Sequence, residues 1–373
     1  MCVQIPSHVT LDMQGSTLRL LGPEEGALIA NHNLRGSGPR DTSLGLVNAV
    51  LDGGDLSNQG TAMLQMAYVD NLSLRGVRII RGQYVGGWIY NARSSVFDDL
   101  EADGFVGEPW LLGAATGVDN HIYDSAFGRL AARGVRSHPN DYYFPGNSFV
   151  FVLSRCTIDS ITAIDCAAGI KIQSPTEDVR IRAVSTVRCG DAGSNSGLKL
   201  QGDTQSPVKR VTVDEVRATG QTGSGLYLEG SLDCTVGSFK GVGNSTNGAY
   251  PDVWVGGTRD RISTLISDQC GGTGVVIRPN AHGYALGEVR VTNPNVAPIP
   301  TATAAIAVFG GSGALGHVTC EETEDPADML VGVDVNSPTA VGTIDSLSVR
   351  GAADTAFKSV SPRFVAPVPK SHR

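Results

Sequence analysis

The chain has 373 residues, of which 47 are glycine and only 18% are charged, so it carries enough apolar sequence to bury a core in one or two domains. Val, Ile and Leu spread along its whole length argue against disorder, and no run of about eighteen apolar residues is present to form a membrane helix. Its 29 basic and 37 acidic residues leave a net charge of -8, which speaks against general electrostatic binding to nucleic acid or to an anionic membrane.

In chain order, the predicted elements repeat. A five-residue strand signature, a small residue and then alternating apolar and variable positions, runs through Met63-Leu-Gln-Met-Ala67, Gly87-Trp-Ile-Tyr-Asn91, a degenerate copy near Leu111, Ser148-Phe-Val-Phe-Val152 and Gly169-Ile-Lys-Ile-Gln173. It continues through Gly197-Leu-Lys-Leu-Gln201, Gly225-Leu-Tyr-Leu-Glu229, Asp252-Val-Trp-Val-Gly256, Gly274-Val-Val-Ile-Arg278, Ala305-Ile-Ala-Val-Phe309 and Gly332-Val-Asp-Val-Asn336. A second signature, two apolar residues enclosing two small or polar ones, follows each. Its copies include Phe97-Asp-Asp-Leu100, Tyr123-Asp-Ser-Ala126, Ile158-Asp-Ser-Ile161, Val213-Asp-Glu-Val216, Val236-Gly-Ser-Phe239, Ile262-Ser-Thr-Leu265 and Ile344-Asp-Ser-Leu347. The period-two alternation, with Gly, Asn, Asp and Ser between copies, predicts short strands joined by turns.

A repeat of roughly 20 to 30 residues cannot bury its apolar face alone, and stacking copies along an axis gives a continuous core. The expected fold is therefore all-β: a single-domain parallel β-helix over residues 1–351, with about 11 to 12 rungs and a C-terminal tail at 352–373. Leu64, Trp88, Phe149, Ile170, Leu198, Leu226, Val253, Val275, Ile306 and Val333 are expected in one inward column.

With this repeat, and with the opening Val3-Gln-Ile-Pro-Ser-His-Val-Thr-Leu-Asp-Met-Gln-Gly-Ser-Thr-Leu-Arg-Leu20, the chain resembles the right-handed parallel β-helix, pectin-lyase-like superfamily of polysaccharide-active enzymes and phage tailspikes. The polygalacturonase motifs of that superfamily are not reproduced; Gly169-Ile-Lys-Ile is a faint echo of one. The resemblance implies a poly- or oligosaccharide substrate, with the site on the outward face of the first strand. It further implies an extracellular or virion-associated setting, although Met1 to Pro6 do not read as a secretory signal.

On that face the third positions of the signature include Ile89, Lys171, Lys199, Tyr227 and Trp254, and the fifth include Asn91, Gln173, Gln201, Glu229 and Arg278. Aromatic faces stack on sugar rings, amides bind hydroxyls, and a carboxylate beside lysines can move protons. Lys171, Gln173, Gln201, Tyr227, Trp254 and Arg278 are thus candidate substrate-binding residues. Glu229 is the leading catalytic candidate. Ordinary glycoside hydrolysis uses two carboxylates, and Asp203 and Asp252 flank Glu229 in sequence. The loop Arg136 to Asn147 adds His138, Asp141, Tyr142 and Tyr143 as an overhanging acid, base and stacking wall; a packed aromatic loop is the competing reading. Asp98, Asp124, Asp159, Asp214 and Asp345 share one repeated turn position, whereas Asp103 and Glu108 lie outside it and near the approach to this face.

Three functions fit. The first is glycosidic cleavage by carboxylate acid-base hydrolysis. The second is a lyase or epimerase acting on uronic-acid polymers, with Lys199, Lys171 or Tyr227 as base. The third is a non-catalytic glycan-binding tailspike or adhesin, which implies a homotrimer. No cofactor and no metal site is expected, because neither zinc nor calcium ligand spacing is present. Cys166, Cys189 and Cys270 fall in one column and read as small buried hydrophobes.

Overall fold

A computed structural model describes residues 3–21, 27–34, 36, 38–54, 62–113, 120–138, 145–190, 197–203, 205–296, 304–323, 329–367 and 370–371. Every regular element among them is a strand, and the strands pair in parallel as a β-solenoid. That is the architecture implied by the resemblance to the pectin-lyase-like superfamily. Two compact units divide the chain, Met1–Ala183 and Val184–Arg373. Among the described residues no helix is long and apolar enough to cross a membrane.

In the first unit, Ile29–Asn31, Ala62–Asp70, Gln83–Arg93, Val106–Leu112, Asn147–Phe151 and Ala168–Gln173 stack one on the next. Their inward column is Ile29, Leu64, Gly87, Trp110, Phe149 and Ile170, all buried. Trp88 does not belong to it. The residue pairs with Gln65 and Leu111 on the outward column, and Ile89, expected outward, is fully buried beside Met66 and Leu112. Asn91 is buried as well. The cause is steric: a Cβ on Gly87 would collide with the six-membered ring of Trp110, so glycine yields the inward place to the indole of the next turn. A one-residue slip in strand register exchanges the two faces.

The second apolar stack of this unit runs through Leu46, Leu74, Phe97, Phe127 and Ile158. Phe97 and Phe127 stack with ring centroids 4.6 Å apart. Phe127 to Leu130 thus supplies the copy that the pattern assigned to Tyr123 to Ala126.

In the second unit the stacked strands are Leu198–Gln201, Leu226–Leu232, Val253–Thr258, Val275–Ile277, Ala304–Val308, Val331–Val335 and Thr355–Ser359. Leu198, Leu226, Val253, Val275, Ile306 and Val333 share one buried column, as expected. Burying each such side chain contributes roughly 1.5 to 3 kcal/mol. Val213, Val236, Ile262, Leu286, Leu315 and Ile344 form the opposite stack. The segment after Ala352, read from sequence as a tail, continues the stacking: Thr355–Ser359 pairs with Val331–Val335. Cys166, Cys189 and Cys270 are buried.

One buried polar group of the second core, Asn244, satisfies backbone at two positions. Asn244 accepts from the N–H of Gln221 at 3.0 Å and donates to the carbonyl of Ala218 at 3.0 Å and to Asp252 Oδ1 at 2.8 Å. Buried polar atoms are costly without such partners, which fixes the turn these residues share.

Candidate functional site

Parallel register brings the outward candidates of the second unit together. Lys199, Tyr227, Trp254 and Val276 succeed one another in one column, and Gln201, Glu229 and Gly256 in the column two residues along. Tyr227 and Trp254 stack with centroids 5.8 Å apart and planes 18° from parallel, and the Lys199 ammonium lies 4.8 Å from the Tyr227 ring centre. The result is an aromatic platform with a cation at one end.

Glu229 sits beside this platform with both oxygens engaged. The Tyr227 hydroxyl donates to Oε2, and the Arg278 guanidinium donates to Oε1. Arg278 comes from the second strand beyond Glu229, a span of about two rungs or 10 Å. It crosses that span over the Trp254 ring, with its guanidinium carbon 4.9 Å from the ring centre. The crossing passes close over Gly256, where an added Cβ would meet the Arg278 Cδ at 3.2 Å and ask it to shift slightly. The Glu229 and Arg278 side chains are about 28% and 33% exposed, so the pair is half-buried and open to a ligand from one side. Burial first, and then the hydrogen bond to Glu229 and its charge, hold the Tyr227 phenol protonated well above the ordinary range.

The two other carboxylates diverge. Asp203 is exposed, its backbone next to Gly230, and its Oδ1 accepts from the N–H groups of Gln205 and Ser206 at 2.8 and 2.6 Å. It therefore caps its own turn at the end of the strand that pairs with Glu229. Asp252 faces the interior and is fully buried. It holds the small-residue position of its repeat, and its carboxyl fills space left by Gly225 and Gly241, where added Cβ atoms would collide with it. Burial pushes its pKa up to about 6 against the hydrogen bonds it accepts, Asn244's among them. Asp252 thus belongs to the core network, away from the outward face.

The first unit holds the remaining described candidates. Lys171 lies on the outward column beside Val150. Gln173 ends the same strand, its carbonyl accepting from Thr176 Oγ1 at 2.7 Å. His138 is buried against Tyr84, ring centroids 4.1 Å apart. Asp141 and Tyr142, with Tyr143, lie outside the described residues.

A further cluster in this unit joins Glu108 and Asn147. Asn147 Nδ2 donates to Glu108 Oε1 at 2.8 Å, while Oε2 is buried without a hydrogen-bond partner. Burial pushes the Glu108 pKa up to about 7, opposed by the Asn147 bond and the charge of Lys171; burial in turn lowers the pKa of Lys171. Glu108 stands out in the sequence by lying outside the repeat, whereas Asn147, which opens the strand Asn147–Phe151 ahead of Ser148 and three apolar residues, carries no such signal. Among the described residues no group of three or more His, Cys, Asp or Glu side chains is placed to hold a metal ion.

No protein-family model matches the sequence, and no curated protein matches it. Among solved structures, the chain is similar to the A-module of the mannuronan C-5 epimerase AlgE6 of Azotobacter vinelandii, at 14% identity and a TM-score of 0.48, covering 99% of this chain and 85% of that one. It is also similar to the A-module of AlgE4 from the same organism, at 10% identity and a TM-score of 0.44, covering 98% and 86%.

Proposed function

We propose that the chain is a carbohydrate-active enzyme that hydrolyses glycosidic bonds of a polysaccharide or oligosaccharide at the Glu229 cluster. The observation that carries this reading is a carboxylate held by a phenol and a guanidinium at the edge of a Tyr227–Trp254 platform on an open strand face. The Tyr227–Trp254 stack, whose faces meet each other, Lys199 and Arg278, offers its ring edges to a sugar, and Gln201, in register with Glu229, reaches the sugar's hydroxyls. Glu229 handles the proton at the glycosidic oxygen or at the attacking water, and Tyr227 and Arg278 hold it in one orientation. Asp203, at the neighbouring strand end, is the second carboxylate such chemistry requires.

A lyase or epimerase reading draws on Lys199. Its ammonium is next to the platform, whereas the Tyr227 phenol is committed as a donor to Glu229 and held protonated, so the base in that reading is the lysine.

The test is a panel of neutral and uronic-acid glycans, followed by reducing ends and by ultraviolet absorbance of unsaturated products. Hydrolysis releases reducing ends without new absorbance and is lost in Glu229→Gln and Asp203→Asn. Unsaturated products that survive Glu229→Gln and vanish in Lys199→Ala replace hydrolysis with elimination. Binding with no cleavage of any glycan makes the protein an adhesin.

A further inference from the structure

Next to the Glu229–Arg278 pair the second unit has a hollow of about 460 Å³, whose walls include Pro251, Trp254, Val276, Arg278, Pro279 and Phe309. The volume is near the low end of small-molecule sites, roughly 300 to 1,000 Å³, and suits one substituted sugar ring better than a peptide. Phe309 is 46% exposed, a large apolar surface left facing the hollow.

The chemistry of the walls selects the occupant. Arg278 is the one charged residue among those that line it, and that charge is already paired with Glu229 and laid on the Trp254 ring. A second anion in the hollow would have to compete with Glu229 for the guanidinium, and a sugar with hydroxyls on every side would lose water against Pro251, Val276, Pro279 and Phe309, with Tyr250 and Thr273 the hydroxyl-bearing residues of the lining. A neutral acyl group fits both conditions. Its methyl packs on the apolar walls, and its carbonyl is an acceptor. Tyr250 and Thr273 are the hydroxyl-bearing residues among those that line the hollow, and they offer donors of the kind that carbonyl takes.

We propose that this hollow is a subsite for a neutral acylated sugar, an O-acetyl group in the simplest case, adjoining the Glu229 centre. The proposal rests on the carbohydrate reading above and adds a substrate class to it: the chain prefers an acylated glycan to the same glycan stripped of its acyl groups.

The experiment takes the glycan that the panel identifies, in O-acetylated and alkali-deacetylated forms, and measures KM where it is cleaved or Kd where it is only bound. Wild type, Phe309→Ala and Val276→Thr are compared. Wild type is expected to favour the acetylated form by about tenfold or more, the scale of discrimination that a small apolar group provides in a pocket. Phe309→Ala, at an exposed site, and Val276→Thr, which keeps the shape and adds a hydroxyl, are expected to reduce that ratio towards one, with the deacetylated form handled as by wild type. Equal affinity of wild type for the two forms, or a ratio that both variants leave intact, overturns the subsite while the carbohydrate reading stands. Failure of wild type to bind or cleave any glycan overturns both.

Discussion

The Tyr227 hydroxyl donates a hydrogen bond to Oε2 of Glu229, two residues further along the same strand face. Alternation along a strand places residues i and i+2 on one side, so a single strand supplies both the carboxylate and the group that orients it. Glu229→Gln keeps the shape and one acceptor but cannot cycle a proton. It is expected to lower kcat by about 10² to 10⁴ with the circular dichroism spectrum unchanged, because that is the usual contribution of positioned acid-base catalysis. Tyr227→Phe preserves the stack on Trp254 and removes only the donor; a hydrogen bond to a charged group is worth roughly 1.5 to 3 kcal/mol, so kcat is expected to fall about 10- to 100-fold. Steady-state kinetics on the panel glycan check both.

Trp254 stacks on Tyr227 and lies beneath Arg278. A ring whose edge contacts the sugar, its faces being taken by Tyr227 and Arg278, holds ground and transition states alike, so its removal weakens both equally. Trp254→Ala is expected to raise KM about tenfold or more with a smaller change in kcat, the scale of a lost stacking contact. A drop confined to kcat would move Trp254 from binding into orientation of the Arg278–Glu229 pair.

Leu198 is fully buried and sits in register with Leu226. Leu198→Ala is expected to cost roughly 2 to 5 kcal/mol of stability, as large-to-small core changes do. A urea midpoint shift at constant kcat per folded molecule is the expected outcome. The neighbouring Lys199, on the other face, is expected to show the reverse pattern on replacement by Ala.

Glu108 gives stability a pH dependence with a definite sign. Its folded pKa, about 7, lies above the ordinary 4.5 because burial outweighs the Asn147 bond and the Lys171 charge. The folded state therefore holds the proton more tightly than the unfolded chain. Its contribution is full below the ordinary value and is lost as pH rises through about 7, at up to about 1.4 kcal/mol per pH unit. Unfolding midpoints are expected to fall between about pH 6 and about pH 8 in wild type and to fall less in Glu108→Gln, whose remaining slope comes from other buried carboxylates such as Asp252. A variant that keeps the wild-type slope would assign the titration to other groups.

Much of the fold was legible in the sequence because a parallel solenoid repeats one local rule. Apolar residues at alternate positions must face the core in every turn, and copies stacked in parallel keep the same phase. This is why Leu198, Leu226, Val253, Val275, Ile306 and Val333 fell into one column, and why Lys199, Tyr227 and Trp254 could be aligned on the opposite face from spacing alone.

The tertiary structure decided whatever depended on a neighbour from another turn. Gly87-Trp-Ile-Tyr satisfies the alternating pattern in either phase, and the choice came from the Trp110 ring, which needs the space over Gly87. Asp252 looked like a partner for Glu229 by sequence distance, yet the vacancies at Gly225 and Gly241 draw its carboxyl inward. Arg278 reaches Glu229 across the Trp254 ring, passing close over Gly256. Local alternation encodes which face a residue occupies. Side-chain volumes one turn away, nearby in space but some 20 or more residues away in sequence, determine which groups meet on that face.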